Sequence, residues 1–202
     1  MAPRTSLAGQ DTFTRPAPSA VTYDLSTANQ ASIHLPPGSE WTSGAHWHDD
    51  HTEYLEVISG YAEIILNGKV LPEVGAADGV VTVPRGAIHE WRRSRTAGSD
   101  EVLEVREWTD PRDGGKEVFF RNLNGLILDA IRDGEGSWRM RTLELELNVL
   151  FMKQDNWPAF LDTSWWSPVQ GIVSRFVVVG SAALGYLLGC RGIYDEYTRT
   201  TK

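Results

Sequence analysis

The sequence predicts a mainly β fold: a small antiparallel barrel or sandwich followed by a C-terminal helical extension. Between residues 31 and 109 the chain contains many short segments rich in β-branched and aromatic residues. Glycine or proline separates these segments at nearly even spacing, which is typical of antiparallel sandwiches and barrels. After Pro111 the apolar residues change from strand spacing to helical spacing, which predicts the extension.

The length and composition limit the number of domains and the classes of partner. The chain has 202 residues, 41% of them hydrophobic, which suffices for one full core but not for two large domains. The formal net charge of -8 argues against a nucleic-acid partner, which would need a surplus of Lys and Arg. The single cysteine, Cys190, excludes a disulfide framework and argues against a Cys-rich zinc site.

We expect three regions: an N-terminal arm over residues 1–29, a β-barrel over 30–112 and a helical extension over 113–202. The arm is rich in Pro, Ser and Thr and lacks the apolar region of a secretory signal, so it is expected to be a loose arm or an edge strand. The barrel strands are expected at "ASIHL", "YLEVI", "YAEIIL", "VVTVP", "IHEWRR" and "EVLEVREW". The dipeptide Asn67-Gly68 predicts a two-residue hairpin with a type I′ turn.

Two helices are expected after the barrel. In the first, apolar residues from Phe119 to Ile131 follow helical spacing, and glycines at positions 134 and 136 end it. The second covers "LELELNVLFMKQDNWPAFL", which begins with strand-like alternation. Its length and its Met, Lys and Gln content favour a helix that ends near Pro158.

The last long apolar segment has two interpretations. Its unbroken apolar part, residues 176–190, is shorter than the roughly 20 residues needed to span a bilayer, and Arg175 lies at its edge. The favoured interpretation is a buried helix packed against the barrel or a partner subunit. The alternative is contact with a membrane surface, because Trp165, Trp166 and Tyr186 lie near the two ends.

The stretch "GAHWHDDHTEYLEVISG" contains three of the chain's five histidines. Side chains alternate along a strand, so His46 and His48 share one face and can bind one metal ion. Glu53 begins the next strand and can supply a carboxylate, which leaves open coordination positions for chemistry. His89, on a separate strand, is the candidate fourth ligand.

The two histidine-containing stretches resemble the motifs of the cupin superfamily. "HWHDDHTEYLEVISG" resembles the first cupin motif and "PRGAIH" resembles the second, and together they cover roughly residues 30–109. The resemblance implies a small antiparallel barrel of the cupin or jelly-roll type that binds one divalent metal. The implied metal ligands, which would also carry catalysis through the metal, are His46, His48, Glu53 and His89.

The sequence departs from the cupin pattern at three positions. Glu40 and Asp78 stand where the two motifs have glycine, which concerns turns, and Arg93 stands where the second motif has asparagine. The wider pattern, with "GIYDEYT" near the C-terminus, is similar to small cupins among fungal natural-product tailoring enzymes. Those with assigned roles include oxygenases and dehydratases or cyclases, and others have no proven reaction.

Two side chains on the strand of His89 are candidate substrate-binding residues. Trp91 and Arg93 share a face with His89 if that strand is regular. Trp91 would stack on the substrate, and Arg93 would recognise an anionic group or a carbonyl. The alternatives are that a bulge turns Arg92 inward, or that both arginines lie at the rim.

The remaining polar residues near the first motif are expected to play minor roles. His51 is expected to be solvated or to support a ligand indirectly, with replacement of Glu53 as the alternative. His34 is expected to be an ordinary strand histidine. Asp49 and Asp50 are expected to solvate the turn, with support of an imidazole as the alternative.

Three classes of function follow from this interpretation. The first is a metal-dependent oxidoreductase or oxygenase that tailors an enolic or phenolic, polyketide-like metabolite in secondary-metabolite biosynthesis. The second is a non-redox dehydratase, decarboxylase, cyclase or isomerase acting on a similar substrate. The third is a non-catalytic module that binds a small ligand.

The expected cofactor is one divalent transition metal: Fe(II), Zn, Mn, Ni or Cu, since imidazole with one carboxylate suits them all. We expect a small-molecule substrate, no nucleic acid, a homodimer and a cytoplasmic location. Contact with a membrane surface through residues 169–190 is the alternative for the last segment.

Overall fold

The computed structural model describes residues 3–98, 100–161 and 168–198. Trp165 and Trp166, which the sequence places at one end of the last apolar segment, lie outside the described residues. The strands of the described chain are β1 (Thr12–Arg15), β2 (Val21–Asp24), β3 (Gln30–Leu35), β4 (His46–Trp47), β5 (Thr52–Ser59), β6 (Ala62–Leu66), β7 (Lys69–Val74), β8 (Val80–Val83), β9 (His89–Arg93), β10 (Leu103–Asp110) and β11 (Trp157–Pro158). Its helices are α1 (Gly115–Asp133), α2 (Trp138–Lys153), α3 (Pro168–Leu187) and α4 (Asp195–Thr198).

The strands form two antiparallel sheets. One has the order β1-β2-β3-β10-β5-β8, and the other has the order β11-β4-β9-β6-β7. Alternate side chains of both sheets point into one hydrophobic core, which contains Leu55 and Val105 from the first sheet and Ile64 and Trp91 from the second. The predicted antiparallel β fold with a C-terminal helical extension is therefore confirmed. The two sheets stay separate, so the described strands form a sandwich rather than a closed barrel.

The N-terminal region belongs to the larger sheet. β1 is the edge strand and pairs with β2, which pairs with β3. Phe13 and Tyr23 from these strands are fully buried in the core. Before β1, the Thr5 hydroxyl lies 2.5 Å from Oδ1 of Asp129 on α1. This region was expected to be a loose arm or an edge strand, and in the structure it contains the edge strand β1.

The hairpin between β6 and β7 has the predicted two-residue turn. Asn67 has a φ of 49° and Gly68 a φ of 78°, and the flanking residues Leu66 and Lys69 pair directly across the turn. Both turn residues must adopt positive φ in a type I′ turn, which Asn and Gly do at low cost.

Helix α2 is present but ends earlier than predicted. Ser137 caps its N-terminus by accepting a hydrogen bond from the Met140 amide. The helix ends at Lys153, and the chain then turns through Asp155, which has a φ of 50°. The prediction of a helix to Pro158 was wrong because residues 157–158 instead form β11, which pairs with β4 at the edge of the smaller sheet.

Helix α3 packs on α2 with one face and exposes the other. Val178 and Ala182 are buried, whereas Phe176 and Leu187 on the opposite face are exposed. The span Val169–Leu187 has 19 residues and a mean hydropathy of 1.3, so it is long and apolar enough to cross a membrane by length and composition alone. Within the described chain, one face of α3 is buried mainly against α2, and burial of the exposed face against a partner subunit stays a prediction.

Two helical glycines provide a test of how α4 packs on α1. An added Cβ at Gly125 on α1 would lie 2.6 Å from the ring of Tyr197, whereas one at Gly180 on α3 would meet no atom within 4 Å. We expect Gly125→Ala to lower the free energy of unfolding by about 1–3 kcal/mol through overpacking. The matched control Gly180→Ala should raise it by roughly 0.5–1 kcal/mol through helix propensity. Urea unfolding measures both, and equal effects would contradict the packing of α4 on α1.

Candidate metal centre

The four predicted ligands lie together between the two sheets. His46 on β4 lies directly opposite His89 on β9, His48 follows β4, and Glu53 is on the inward face of β5. Each of the four offers one ligand atom, and these atoms all lie within 4.8 Å of one another. The structure thus brings together residues that are up to 43 positions apart in the chain, and the group could hold a metal ion.

Backbone carbonyls orient all three imidazoles. Nδ1 of His46 lies 2.7 Å from the Gly44 oxygen, Nδ1 of His48 lies 2.5 Å from the Asp155 oxygen, and Nδ1 of His89 lies 3.2 Å from the Ala87 oxygen. A carbonyl oxygen can only accept, so these contacts assign the proton of each ring to Nδ1. Nε2 of each ring is then the atom that can bind a metal.

The Glu53 carboxylate lies against two of these Nε2 atoms. Oε2 is 3.1 Å from Nε2 of His48, and Oε1 is 3.0 Å from Nε2 of His89. With each Nδ1 turned to a carbonyl, the Nε2 atoms of His48 and His89 and both oxygens of Glu53 face the same small space. The donor set therefore fits a divalent cation.

The surroundings of the cluster hold two of the ligands, Glu53 and His46, in the forms that bind metal. Burial opposes ionisation of Glu53, but the positive charges of Lys116 and His89 outweigh it and hold the pKa of this carboxyl well below its usual range. Burial, together with the neighbouring His89 and His48, holds the pKa of His46 well below its usual range. Ionised carboxylate and neutral imidazole are the protonation states that coordinate metals.

Sequence reasoning missed Lys116 and Glu107. Lys116 lies in the first turn of α1, and its buried Nζ donates to Oε2 of Glu53 at 2.5 Å and to Glu107 on β10. The alternation along β10 could have identified Glu107, which shares an inward face with Val105 and Thr109. Lys116 had no such signal, because only the packing of α1 brings it to Glu53.

His51 lies outside the ligand cluster, as predicted, but it is not simply solvated. Its Nδ1 lies 2.8 Å from Oδ2 of Asp155, and its Nε2 lies 3.1 Å from Oδ2 of Asp113. Desolvation alone would lower the pKa of His51, but the hydrogen bonds to the two aspartates raise it above its usual value. The Asp155 carboxylate also accepts the amides of Asp49 and Asp50, each at 2.8 Å, so it holds the whole turn.

The other two aspartates and His34 have ordinary surroundings. Asp49 is held by Arg175 at 2.7 Å and by the Trp47 indole N–H at 3.1 Å rather than solvated, whereas Asp50 is exposed, as predicted. His34 lies 3.8 Å from Glu104 on the neighbouring strand and is one-third exposed, in keeping with an ordinary strand histidine.

A cavity of about 610 Å³ opens beside the cluster. His46, His48, Lys116 and Glu107 line it. Aromatic side chains from β2, from the loop before β4 and from α1 and α2 form much of the remaining wall. These are Tyr23, Trp41, Phe119, Phe120 and Phe151. The cavity therefore combines polar groups next to the ligand cluster with apolar walls, which is typical of small-molecule sites.

The structure does not place Trp91 or Arg93 at this cavity. Trp91 is buried behind Trp41, with ring centroids 4.7 Å apart, and its indole nitrogen lies 3.4 Å from Oε2 of Glu107. The Arg93 guanidinium donates to carbonyl oxygens, among them those of Leu35 at 3.0 Å and Gly98 at 2.6 Å. The substrate roles predicted for the two are therefore corrected: both belong to the structural framework, because β9 carries them away from the cavity.

Comparisons with known proteins give distant similarities only. No family model matches the sequence, and no curated protein matches it. The capsular polysaccharide assembling protein CapF from Staphylococcus aureus is a similar solved structure, with 20% identity, coverage of 51% of this chain and 32% of that chain, and a TM-score of 0.38. This chain thus spans about a third of the length of that protein.

Two smaller solved structures are similar to the same extent. A predicted oxalate decarboxylase from Thermotoga maritima has 22% identity, coverage of 54% of this chain and 97% of that chain, and a TM-score of 0.38. A cupin-2 domain from Rhodospirillum rubrum has 20% identity, coverage of 56% and 80%, and a TM-score of 0.39. These values support no inference about activity, so the function must be argued from the site itself.

The buried Lys116 provides a test of the site's electrostatics. We expect Lys116→Met to lower the free energy of unfolding of the metal-free protein by about 3–5 kcal/mol, because two buried carboxylates lose their shared cation. Addition of Zn²⁺ should recover part of the loss, since the metal supplies positive charge. Thermal and urea unfolding measure both effects. Lys153→Met is the control, because Lys153 lines the same cavity but is exposed. Equal effects of the two substitutions would contradict the central role of Lys116.

Proposed function

We propose that this protein is a metal-dependent enzyme that acts on a small, largely apolar molecule carrying an oxygen donor. The observation that carries the proposal is the convergence of three imidazoles and one carboxylate beside a cavity of about 610 Å³. A ligand set that only stabilised the fold would not need to open onto such a space. Two of the four ligands, His46 and His48, line it directly.

The proposed metal ligands are His46, His48, Glu53 and His89. A divalent transition metal held by them would supply a Lewis acid or a redox centre. The protein's own part is to hold the imidazoles by their Nδ1 atoms and to keep Glu53 ionised beside Lys116. The identity of the metal is left to measurement, because this donor set suits several metals.

The lining of the cavity supports an aromatic or unsaturated substrate. Trp41, Phe120 and Phe151 offer apolar surface and ring faces. Arg15 and Lys153 line the same cavity and can bind an anionic or carbonyl group of the substrate, the role that the sequence had assigned to Arg93.

Our first candidate reaction is oxidation of an enolic or phenolic, polyketide-like metabolite. A transition metal held by the four residues would supply the redox chemistry, and the buried cluster is shielded from bulk water. Apolar walls would hold such a substrate beside the cluster and exclude competing water.

The second candidate is a non-redox reaction, such as dehydration, decarboxylation, cyclisation or isomerisation. It is supported by Lys116 and Glu107, which line the cavity next to the ligand cluster. A hydrogen-bond donor and an acceptor at that place could hold the proton that such a reaction moves.

Metal content is the first test. We expect the protein, purified without an affinity tag, to contain close to one divalent transition metal ion per chain. Inductively coupled plasma mass spectrometry measures this content. Glu53→Gln and His89→Ala should weaken binding by at least about 100-fold, since each removes a ligand. Glu56→Gln, on the same strand, and His34→Ala are matched controls that should retain the metal. Retention of the metal by all four variants would contradict the assignment of the ligands.

Dependence on oxygen separates the two reactions. The Fe(II)-loaded protein is given a panel of enols and phenols in air and under anaerobic conditions, and O₂ uptake and products are measured. If the reaction is an oxidation, product should form only in air and O₂ uptake should match it. The Glu53→Gln variant should show neither product nor O₂ uptake. Product formed without O₂ would favour the non-redox class instead. Tight binding of a panel member without turnover under either condition, with any of the metals, would favour a non-catalytic binding module.

A further inference from the structure

Helix α3 buries two polar side chains and exposes most of its large apolar side chains. Gln170 and Ser174 are buried against the rest of the protein, and the Gln170 side-chain oxygen accepts the Leu161 amide at 3.1 Å. On the opposite face, Phe176 is 82% exposed and Leu187 is 84% exposed. This arrangement is the reverse of that expected for a helix that faces water with its outer side.

The exposed face is wide and continuous. Successive residues of a helix are about 100° apart, so the exposed apolar positions cover roughly 200° of its circumference. The exposed large apolar residues between positions 172 and 188 are Ile172, Phe176, Val177, Val179, Leu184, Tyr186, Leu187 and Leu188. Together they form a contiguous exposed apolar patch, which marks an interaction surface.

The width of the face indicates a lipid surface rather than one partner helix. A helix that pairs with a single second helix needs only a narrow apolar seam, whereas a helix lying in a bilayer presents apolar residues over a broad arc. The inner face of α3 is fixed on α2 by Val178 and Ala182. The helix, about 28 Å long over 19 residues, would therefore lie flat on the bilayer instead of crossing it.

The distribution of charge also fits a phospholipid surface. The chain has 27 acidic residues, yet residues 163–194 contain none and include Arg175 and Arg191. Lys153 lies 5.6 Å from the ring centroid of the half-exposed Tyr186 and donates to the Arg191 carbonyl, so a cation lies beside the exposed face. Near the other end, Arg175 pairs with Asp49 at the edge of the face. Cations at the edge of an apolar face can contact lipid phosphates.

We propose that α3 binds the surface of a phospholipid bilayer, with its outer face among the acyl chains and with Lys153 and Arg191 at the headgroups. This inference is independent of the metal centre. It assigns a partner to the outer side of α3, which consists mainly of exposed apolar side chains.

Sedimentation with vesicles tests the proposal. The full-length protein is mixed with vesicles of phosphatidylcholine alone and of phosphatidylcholine with phosphatidylserine. We expect it to sediment with both kinds of vesicle, and more strongly with the mixed ones. The double variant Phe176→Glu with Leu187→Glu should bind about tenfold more weakly or worse, because two deeply inserted side chains become charged. Val70→Glu with Val80→Glu is the control, since both valines are exposed on strands of the sandwich.

A second measurement does not depend on the stability of the charged variant. An environment-sensitive fluorophore attached to Phe176→Cys should shift to the blue when vesicles are added, and the same fluorophore on Val80→Cys should not. Circular dichroism and metal content should be unchanged in every variant used. Absence of sedimentation and of the shift in the wild-type and labelled proteins would overturn the proposal. So would a dimer in light scattering that Phe176→Glu dissociates, with no binding to vesicles, because the face would then be an interface between two copies.

Discussion

The buried carboxylate of Glu53 is the constraint around which the rest of the site is arranged. It is fully buried, and a carboxylate in that position must be compensated by positive charge or be protonated. His48, His89 and Lys116 each approach it within hydrogen-bonding distance, and they come from the turn after β4, from β9 and from α1. The relative positions of both sheets and the first helix therefore depend on one charge, which is also the charge that a metal ion would neutralise.

The helical extension takes part in the site as well. The Asp155 carbonyl orients His48, the Asp155 carboxylate holds the turn that carries His51, and β11 adds a strand beside β4. Phe119 and Phe120 from α1 and Phe151 from α2 complete the cavity wall. A sandwich alone would leave the cluster open on this side. The extension forms the cavity wall on this side. Through α3, it also carries the apolar face that we assign to a lipid surface.

Arg93 shows what strand alternation can and cannot predict. It predicts which face of a strand a side chain occupies, but not whether that side chain lies at the cavity. The period of two correctly places His89, Trp91 and Arg93 on one inward face of β9. It does not tell how far along that face a cavity extends. The cavity lies at the His89 end, whereas Arg93 pairs across from Ala62 at the other end and satisfies carbonyl groups of the loop that follows. Arg15, Lys116 and Lys153, from parts of the chain outside both motifs, are the Lys and Arg residues of the described chain that line the cavity.

The antiparallel fold class, the hairpin at Asn67-Gly68 and the four candidate ligands could all be predicted from the sequence. Each of these follows from local rules: alternation along strands, turn propensity and the spacing of two short motifs. Other features appear only in the folded structure. These are the roles of Lys116 and Asp155, the end of α2 at Lys153 and the exposure of the apolar face of α3. These features depend on contacts between segments that are distant in the chain. Lys116 and Glu53 are 63 residues apart, and no local pattern encodes their meeting.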